Sequence, residues 1–157
     1  MNRLHIDLEK EIWNRFPYMC SYCAHCPCVC KTQKVKTRKR VVFNEKKRPK
    51  TLADFQNMFQ AIYPSKTRSL EHSGIHLAEE MGELSEAVLQ YQGLRKKEDL
   101  AKIAQEAADF FSCLMGVLNS MHVSVAKEFS TLFSHNCHVC RKAPCECSFI
   151  DITKFKS

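Results

Sequence analysis

Eight of the ten cysteines fall into two copies of one spacing, and this repeat restricts the fold more than any other feature of the sequence. The pattern C-x2-C-x4-C-x-C is formed once by Cys20, Cys23, Cys28 and Cys30, and again by Cys137, Cys140, Cys145 and Cys147. A proline, Pro27 or Pro144, precedes the third cysteine of each copy. Agreement at so many positions indicates an internal duplication, or convergence on one metal-binding turn.

The ligand type narrows the choice of metal. Thiolates favour Zn²⁺ or an iron–sulfur cluster, and four cysteines without a redox role predict structural, tetrahedral zinc, in the simplest case one Zn²⁺ per cluster. Disulfides are the weaker interpretation, because the first twenty residues lack the apolar stretch of a secretory signal, which predicts a reducing, cytoplasmic location. The spacing is also compatible with an iron–sulfur cluster. Because the two cysteines of C-x-C are so close in sequence, an alternative is that the four thiolates of a set do not all reach one ion, and that ligands are then exchanged between the clusters. His25 and His138 are candidate substitute ligands, and Cys26 is an extra cysteine.

The stretch between the clusters predicts helices. Apolar residues recur there at helical spacing, without strand alternation or a hairpin turn. The low count of 4 Gly and 5 Pro argues against a barrel or sandwich, and no apolar run reaches the length of about 18 residues that a membrane span needs. The predicted fold class is all-α, a four-helix bundle core flanked by Cys-rich metal-binding segments. The predicted divisions are an N-terminal helix, Cys cluster and basic segment (1–50), the core (51–134), and a C-terminal Cys cluster and tail (135–157).

Capping residues and breakers predict where the helices begin and end. Asp7 is expected to cap the first helix, and Thr51 with Asp54 resembles a capping box. Gly93 suits the end of a long helix. One short helix is predicted within 1–19, ending before Pro17, and the others cover about 51–63, 69–91, 98–121 and 123–133. Three apolar residues of the last helix are expected to face inward: Phe129, Leu132 and Phe133.

The two long helices carry acidic residues at matched places. Glu80 and Glu83 are three residues apart on the first, and Glu106 and Asp109 are three apart on the second, so each pair lies on one helix surface. At about 100° per residue, both pairs have the same angular offset from the apolar stripe of their helix. Both also lie equally far from the connecting loop, so an antiparallel hairpin brings the four carboxylates level with one another.

Four carboxylates beside an apolar seam repel one another unless a cation lies between them. Oxygen ligands favour a hard ion, Mg²⁺ or Mn²⁺, which keeps waters and binds substrate phosphates. The alternative is that these are solvated acids, as most acidic residues on helix surfaces are. For Glu79 and Glu86, which lie nearer the outer face, the solvated interpretation is favoured, although Glu79 can still assist a water.

Here the sequence resembles a family. The run Glu79-Glu80-x-x-Glu83, followed after 22 residues by Glu106-x-x-Asp109, is similar to the E-E-x-x-E … E-x-x-D signature of the MazG-like, all-α NTP pyrophosphohydrolases. The resemblance covers about 51–134. It implies a helical-bundle enzyme, dimeric or tetrameric, that hydrolyses a nucleoside triphosphate to a monophosphate and pyrophosphate. The residues that match the family's Mg²⁺ ligands are Glu80, Glu83, Glu106 and Asp109.

Other residues are assigned roles from the chemistry that this reaction needs. A carboxylate not fully committed to a metal can orient a water or accept its proton. The candidate catalytic residues are therefore Glu79, Glu80 and Glu83. Lys66 and Arg68, just before the helix, are candidates for contact with the phosphates, and Asn119 for contact with the base. Alternatively, these three are ordinary loop cations and a surface amide.

Residues 31–50 form a basic segment with ten Lys/Arg and one Glu, a net charge of +9 in a chain whose formal charge is +7. Such a segment can neutralise nucleic-acid phosphates, so the alternative function is a zinc-dependent nucleic-acid-binding or adaptor module. Its one aromatic residue, Phe43, offers little stacking with nucleic-acid bases. Two further interpretations are a solvated linker and an arm that folds over a neighbouring active site. At most one short strand, 41–43, fits within it. No membrane partner is expected.

Overall fold

The computed structural model describes residues 4–67, 69–148 and 150, and every regular element in these ranges is helical. The five α-helices are α1 (Leu8–Arg15), α2 (Leu52–Ile62), α3 (Leu70–Leu94), α4 (Lys97–Ser120) and α5 (Val125–Leu132). Single 3₁₀ turns lie at Glu45–Lys47 and Ser65–Thr67. The predicted all-α fold with a Cys cluster near each end is confirmed. Among the helices described here, none combines the length and apolar character that crossing a bilayer requires.

The helices begin where capping side chains satisfy their first backbone amides. The Asp7 carboxylate accepts from the Lys10 amide at 3.1 Å, which starts α1 as predicted. Thr51 and Asp54 form both hydrogen bonds of a capping box at the start of α2. These contacts fix the helix starts locally, independently of tertiary packing.

The end of α3 differs from the prediction. The helix continues through Gly93 to Leu94, and the residue that ends it is Arg95, which adopts a left-handed conformation with φ 50°. The Arg95 amide donates to the Tyr91 carbonyl, which closes the last turn. The prediction that Gly93 ends this helix was therefore wrong. The loop to α4 is correspondingly short, because α4 begins at Lys97.

The chain forms two compact units, the first ending at Val123 and the second beginning at Ser124. In the first unit α4 packs against α1, α2 and α3, so these four helices form the bundle. α5 belongs to the second unit, together with the second Cys cluster. This grouping differs from the divisions predicted from the sequence, which place α5 in the core and α1 outside it.

Aromatic rings join α1 and α2 to α4. The Phe16 ring meets the Phe59 ring edge-on, with centroids 5.2 Å apart, and Phe111 of α4 lies 6.1 Å from Phe59. Phe16 and Trp13 are each only 2% exposed. Burying a large apolar side chain contributes about 1.5–3 kcal/mol, so this packing holds α1 firmly on the bundle.

The basic segment forms no strand at 41–43 and is attached to α1 by a few side chains. The Phe43 ring lies 6.4 Å from that of Trp13, and the Trp13 Nε1 donates to Glu45 at 2.9 Å. Arg48 pairs with Glu9 at 3.4 Å. Residues 43–48 of the segment therefore lie against α1, while most of its cations remain exposed.

Val125 of α5 is buried, but the three residues predicted to face inward do not, so that prediction was wrong. Phe129 is 56% exposed, Leu132 49% and Phe133 43%. Among the described residues, the second unit contains no other α-helix long enough to cover them. The periodicity of α5 identified an amphipathic helix correctly, but it carries no information about whether a partner surface exists.

Candidate active site and metal centres

The α3–α4 hairpin brings three carboxylates together. Glu80 and Glu83 of α3 and Glu106 of α4 each offer an oxygen, and these three oxygens all lie within 4.8 Å of one another. Glu106 is buried, with 7% of its surface exposed, and lies on α4 among the buried alanines Ala104, Ala107 and Ala108. This arrangement can bind a divalent cation through oxygen ligands.

The electrostatics of this carboxylate cluster match a cation site. Burial, together with the charges of Asp109, Glu83 and Glu106, raises the pKa of Glu80 to about 7. Burial also raises the pKa of Glu106, with Asp109 and Glu83 adding to the effect. The Glu80 Oε2 atom is buried without a hydrogen-bond partner among the described residues. A buried acceptor facing other carboxylates is costly, and a bound cation would relieve both the desolvation and the repulsion.

Asp109, predicted as the fourth ligand, lies outside that three-residue group and pairs with Arg15 of α1. The Arg15 Nε donates to one carboxylate oxygen at 2.9 Å and Nη2 donates to the other at 2.6 Å. The two side chains are only 15% and 13% exposed. The Arg15 charge also acts to lower the pKa of Glu106, against the carboxylates that raise it. Sequence reasoning missed Arg15, because no local pattern links residues 94 positions apart.

Glu79 lies at the edge of the carboxylate cluster. Its Oε2 atom is 3.0 Å from the His76 Nδ1 atom, and its side chain is 56% exposed. Because Glu79 immediately precedes Glu80, it is near the cluster while remaining accessible to water. This combination suits a carboxylate that orients a water rather than one that holds a metal.

The residues predicted to bind substrate are dispersed. Lys66, in the turn before α3, is exposed and lines a cavity beside the first Cys cluster. Arg68 lies outside the described residues. Asn119 is thirteen residues beyond Glu106 on α4, about 20 Å along the helix axis. It exchanges hydrogen bonds with Gln56 of α2 at 3.0 and 3.2 Å, so it connects two helices of the bundle.

Each cysteine set gathers four sulfurs around one point. In both sets the four Sγ atoms lie within 4.8 Å of one another. The first set has Cys20–Cys30 and Cys23–Cys28 Sγ distances of 3.8 and 3.9 Å. The corresponding distances in the second set are 3.7 and 3.9 Å. A zinc ion with four sulfurs at about 2.3 Å requires sulfur–sulfur edges of about 3.8 Å. Each cluster can therefore hold one metal ion such as zinc, without ligands from the other cluster.

Backbone amides favour the thiolate form of one cysteine in each cluster, Cys23 or Cys140. The pKa values of four other cysteines are instead raised: Cys28, Cys30, Cys145 and Cys147. Burial opposes ionisation of Cys23, but hydrogen bonds from the Val29 and His25 backbones outweigh it and lower its pKa to about 6. Backbone hydrogen bonds from Glu146 and Lys142 lower the pKa of Cys140 to about 6. A thiolate is the form that binds metal, so these amides prepare both turns for a thiophilic ion.

The two clusters belong to a longer repeat. α1 and α5 have eight residues each, and each is followed directly by a phenylalanine, Phe16 or Phe133. All corresponding positions are 117 residues apart. Ala24 and Arg141 share a left-handed conformation, with φ 56° and 60°. Residues 7–30 and 124–147 are therefore two copies of one helix–turn module.

Comparison with known proteins gives no relative for this chain: no protein-family model, no curated protein and no solved structure matches it. Its function is therefore inferred from the carboxylate cluster, the two Cys clusters and their surroundings.

We expect the carboxylate cluster to make stability depend on pH when no Mg²⁺ is present. The pKa of Glu80 is about 7 in the folded chain and near 4.5 ordinarily, so the folded state binds more protons between these values. Ionisation of Glu80 therefore lowers the free energy of unfolding as pH rises through this window. Urea unfolding at a series of pH values should show that the free energy of unfolding falls less steeply with pH in Glu80→Gln than in wild type.

Glu86→Gln, an exposed carboxylate on the same helix, is the matched control and should keep the wild-type dependence. Adding Mg²⁺ above pH 7 should recover stability in wild type but not in Glu80→Gln. Identical pH dependence in wild type and Glu80→Gln would show that Glu80 is solvated.

Proposed function

We propose that the chain is a Mg²⁺-dependent nucleoside triphosphate pyrophosphohydrolase with structural zinc at both Cys clusters. The observation that carries the proposal is the group of three carboxylates from two adjacent helices, within 4.8 Å of one another and partly buried. The resemblance of the acidic motif to that of the MazG-like enzymes supports the same reaction. Mn²⁺ is the alternative ion, because the ligands are all oxygen.

The carboxylates divide the work by their environments. Glu80, Glu83 and Glu106 would hold the divalent ion, which supplies charge neutralisation at the phosphates and a water of lowered pKa. Glu79 is more exposed and is oriented by His76, so it is the candidate base that accepts the proton of the attacking water. The carboxylate of Asp109 contributes charge from its place beside Arg15, and it would reach the metal only if one of those two hydrogen bonds were released.

The proposed assembly is a homodimer or homotetramer, and α3 presents the surface for it. Only Ser73 and Ala87 of its 25 residues are buried. Ile75 is 70% exposed, Met81 52% and Leu89 67%. Apolar residues this exposed along one long helix are typical of an interface. A second copy covering α3 would also shield the carboxylate cluster from bulk water.

The first test of this function is release of pyrophosphate from a panel of ribo- and deoxyribonucleoside triphosphates. We expect turnover with Mg²⁺ or Mn²⁺ and none without a divalent ion. Glu106→Gln and Glu83→Gln should each lower kcat by about 100-fold or more, the scale expected when one charge-stabilising group is removed. Glu86→Gln should keep wild-type activity, because its side chain lies outside the cluster. Absence of turnover with every nucleotide would refute the proposed reaction.

Metal analysis tests the zinc sites separately. Two zinc ions per chain are expected, one from each set of four thiolates. Cys23→Ser and Cys140→Ser should each retain one zinc, because each removes a ligand from a different set. Cys26→Ser is the matched control: it is exposed beside the first set and is not among its four ligands, so it should retain two. Iron in place of zinc would contradict this assignment.

A second function, binding of nucleic acid, is favoured by one observation. Nine of the ten Lys and Arg residues in 31–50 are exposed, and only Arg48 is partly covered. If this segment binds RNA or DNA, affinity should fall steeply with salt, and replacing Arg38, Lys39 and Arg40 by Ala should weaken it. Glu106→Gln should leave that affinity unchanged. An activity assay and a binding assay on these two variants therefore separate the functions.

A further inference from the structure

A cavity lies between the first Cys cluster and the beginning of α3. Its volume is about 550 Å³, within the range of sites for small molecules. Its wall comes from three parts of the first unit: the end of the turn that carries the first cysteine set (residues 20–30, the Cys turn), the end of α2 with the turn that follows, and the first two turns of α3. Besides two cysteines of the turn, the lining residues are Lys31, Thr32, Tyr63, Lys66, His72 and His76.

The chemistry of this lining selects an anion. Lys31 and Lys66 supply two ammonium groups, and His72 and His76 supply imidazoles, with ring centroids 4.5 Å apart. Ammonium and imidazole N–H groups and the Thr32 hydroxyl are all donors suited to phosphate oxygens. None of the described lining residues is Asp or Glu, and a metal bound at the first cluster would offset part of the negative charge of the Cys28 and Cys30 thiolates. Such a set favours an extended anion with several phosphates over a neutral ligand.

The cavity is adjacent to the carboxylate cluster. His76 is a lining residue, it contacts Glu79 at 3.0 Å, and it precedes Glu80 by one helical turn. A chain of phosphates whose metal lies at Glu80 can therefore extend along α3 towards the lysines. We propose that this cavity binds the polyphosphate chain of the nucleotide, with Lys31, His72 and His76 as binding residues beside the predicted Lys66. The inference rests on the proposed function for the identity of the nucleotide, but not for the binding of an oligophosphate.

The Cys turn gives this cavity a dependence on the first metal centre. Lys31 follows Cys30 directly, and the Cys28 amide donates to the Ile62 carbonyl at 2.8 Å, which attaches the turn to the end of α2. The position that corresponds to Lys31 in the second module is Ser148, which carries no charge. Only the first copy of the module is therefore equipped to bind phosphate in this way.

Binding of inorganic tripolyphosphate without Mg²⁺ tests the inference, because it requires neither the carboxylate cluster nor turnover. Isothermal titration calorimetry should show that Lys31→Ala and His72→Asn each raise Kd about tenfold, the equivalent of about 1.4 kcal/mol. Lys34→Ala, an exposed cation in the same basic segment but outside the cavity, should change Kd less than about twofold. Lys31→Arg keeps the charge and should restore most of the affinity.

Zinc content of two per chain and an unchanged circular dichroism spectrum establish that each variant is folded. If the wild type hydrolyses a nucleotide, Lys31→Ala should raise KM with little change in kcat. Binding of tripolyphosphate with the expected variant pattern, in a protein that hydrolyses no nucleotide, would uphold the cavity and refute the proposed reaction. Absence of tripolyphosphate binding, or equal Kd values for wild type, Lys31→Ala and His72→Asn, would overturn the inference even if turnover is found.

Discussion

Packing against α4 is the constraint on which the first unit depends. This helix contacts α1, α2 and α3, so its surface is buried on several sides at once. Glu106 lies among its buried small residues and must therefore face either a neighbouring helix or a cation. The pairing of Arg15 with Asp109 and the proximity of Glu80 and Glu83 to Glu106 both follow from this packing, because each brings a charged side chain of another helix against α4.

Much of the local structure could be predicted, because it depends on residues close together in the sequence. Asp7 and the Thr51–Asp54 capping box begin helices where expected, and the end of α3 was missed by only a few residues. The error there came from assigning the left-handed position to glycine when Arg95 adopts it. The geometry of the α3–α4 hairpin was also accessible, since helical period and loop length determine which side chains become level.

Tertiary partners were beyond the reach of the same reasoning. Arg15 comes from a helix that the sequence divisions placed outside the core, and its contact with Asp109 spans 94 positions. The prediction that Phe129 faces inward failed for a related reason. An apolar stripe predicts that one face of a helix is buried, but it does not identify the surface that would cover that face. For the cysteines the repeated spacing was sufficient to predict two four-sulfur sites. Whether the two sites share ligands could be answered only from the sulfur–sulfur distances within each set.

The helix–turn module has a consequence for cooperativity. Eight residues are too few for an isolated helix to persist in water, so each copy needs support from elsewhere. In the first copy Ile12 and Phe16 obtain it from the bundle, whereas their counterparts Phe129 and Phe133 remain largely hydrated. Local unfolding of the first copy thus exposes aromatic side chains and disrupts the packing of the bundle. Local unfolding of the second copy does not require that disruption. The same helix–turn pattern therefore has unequal protection against hydrogen exchange at its two places in the chain.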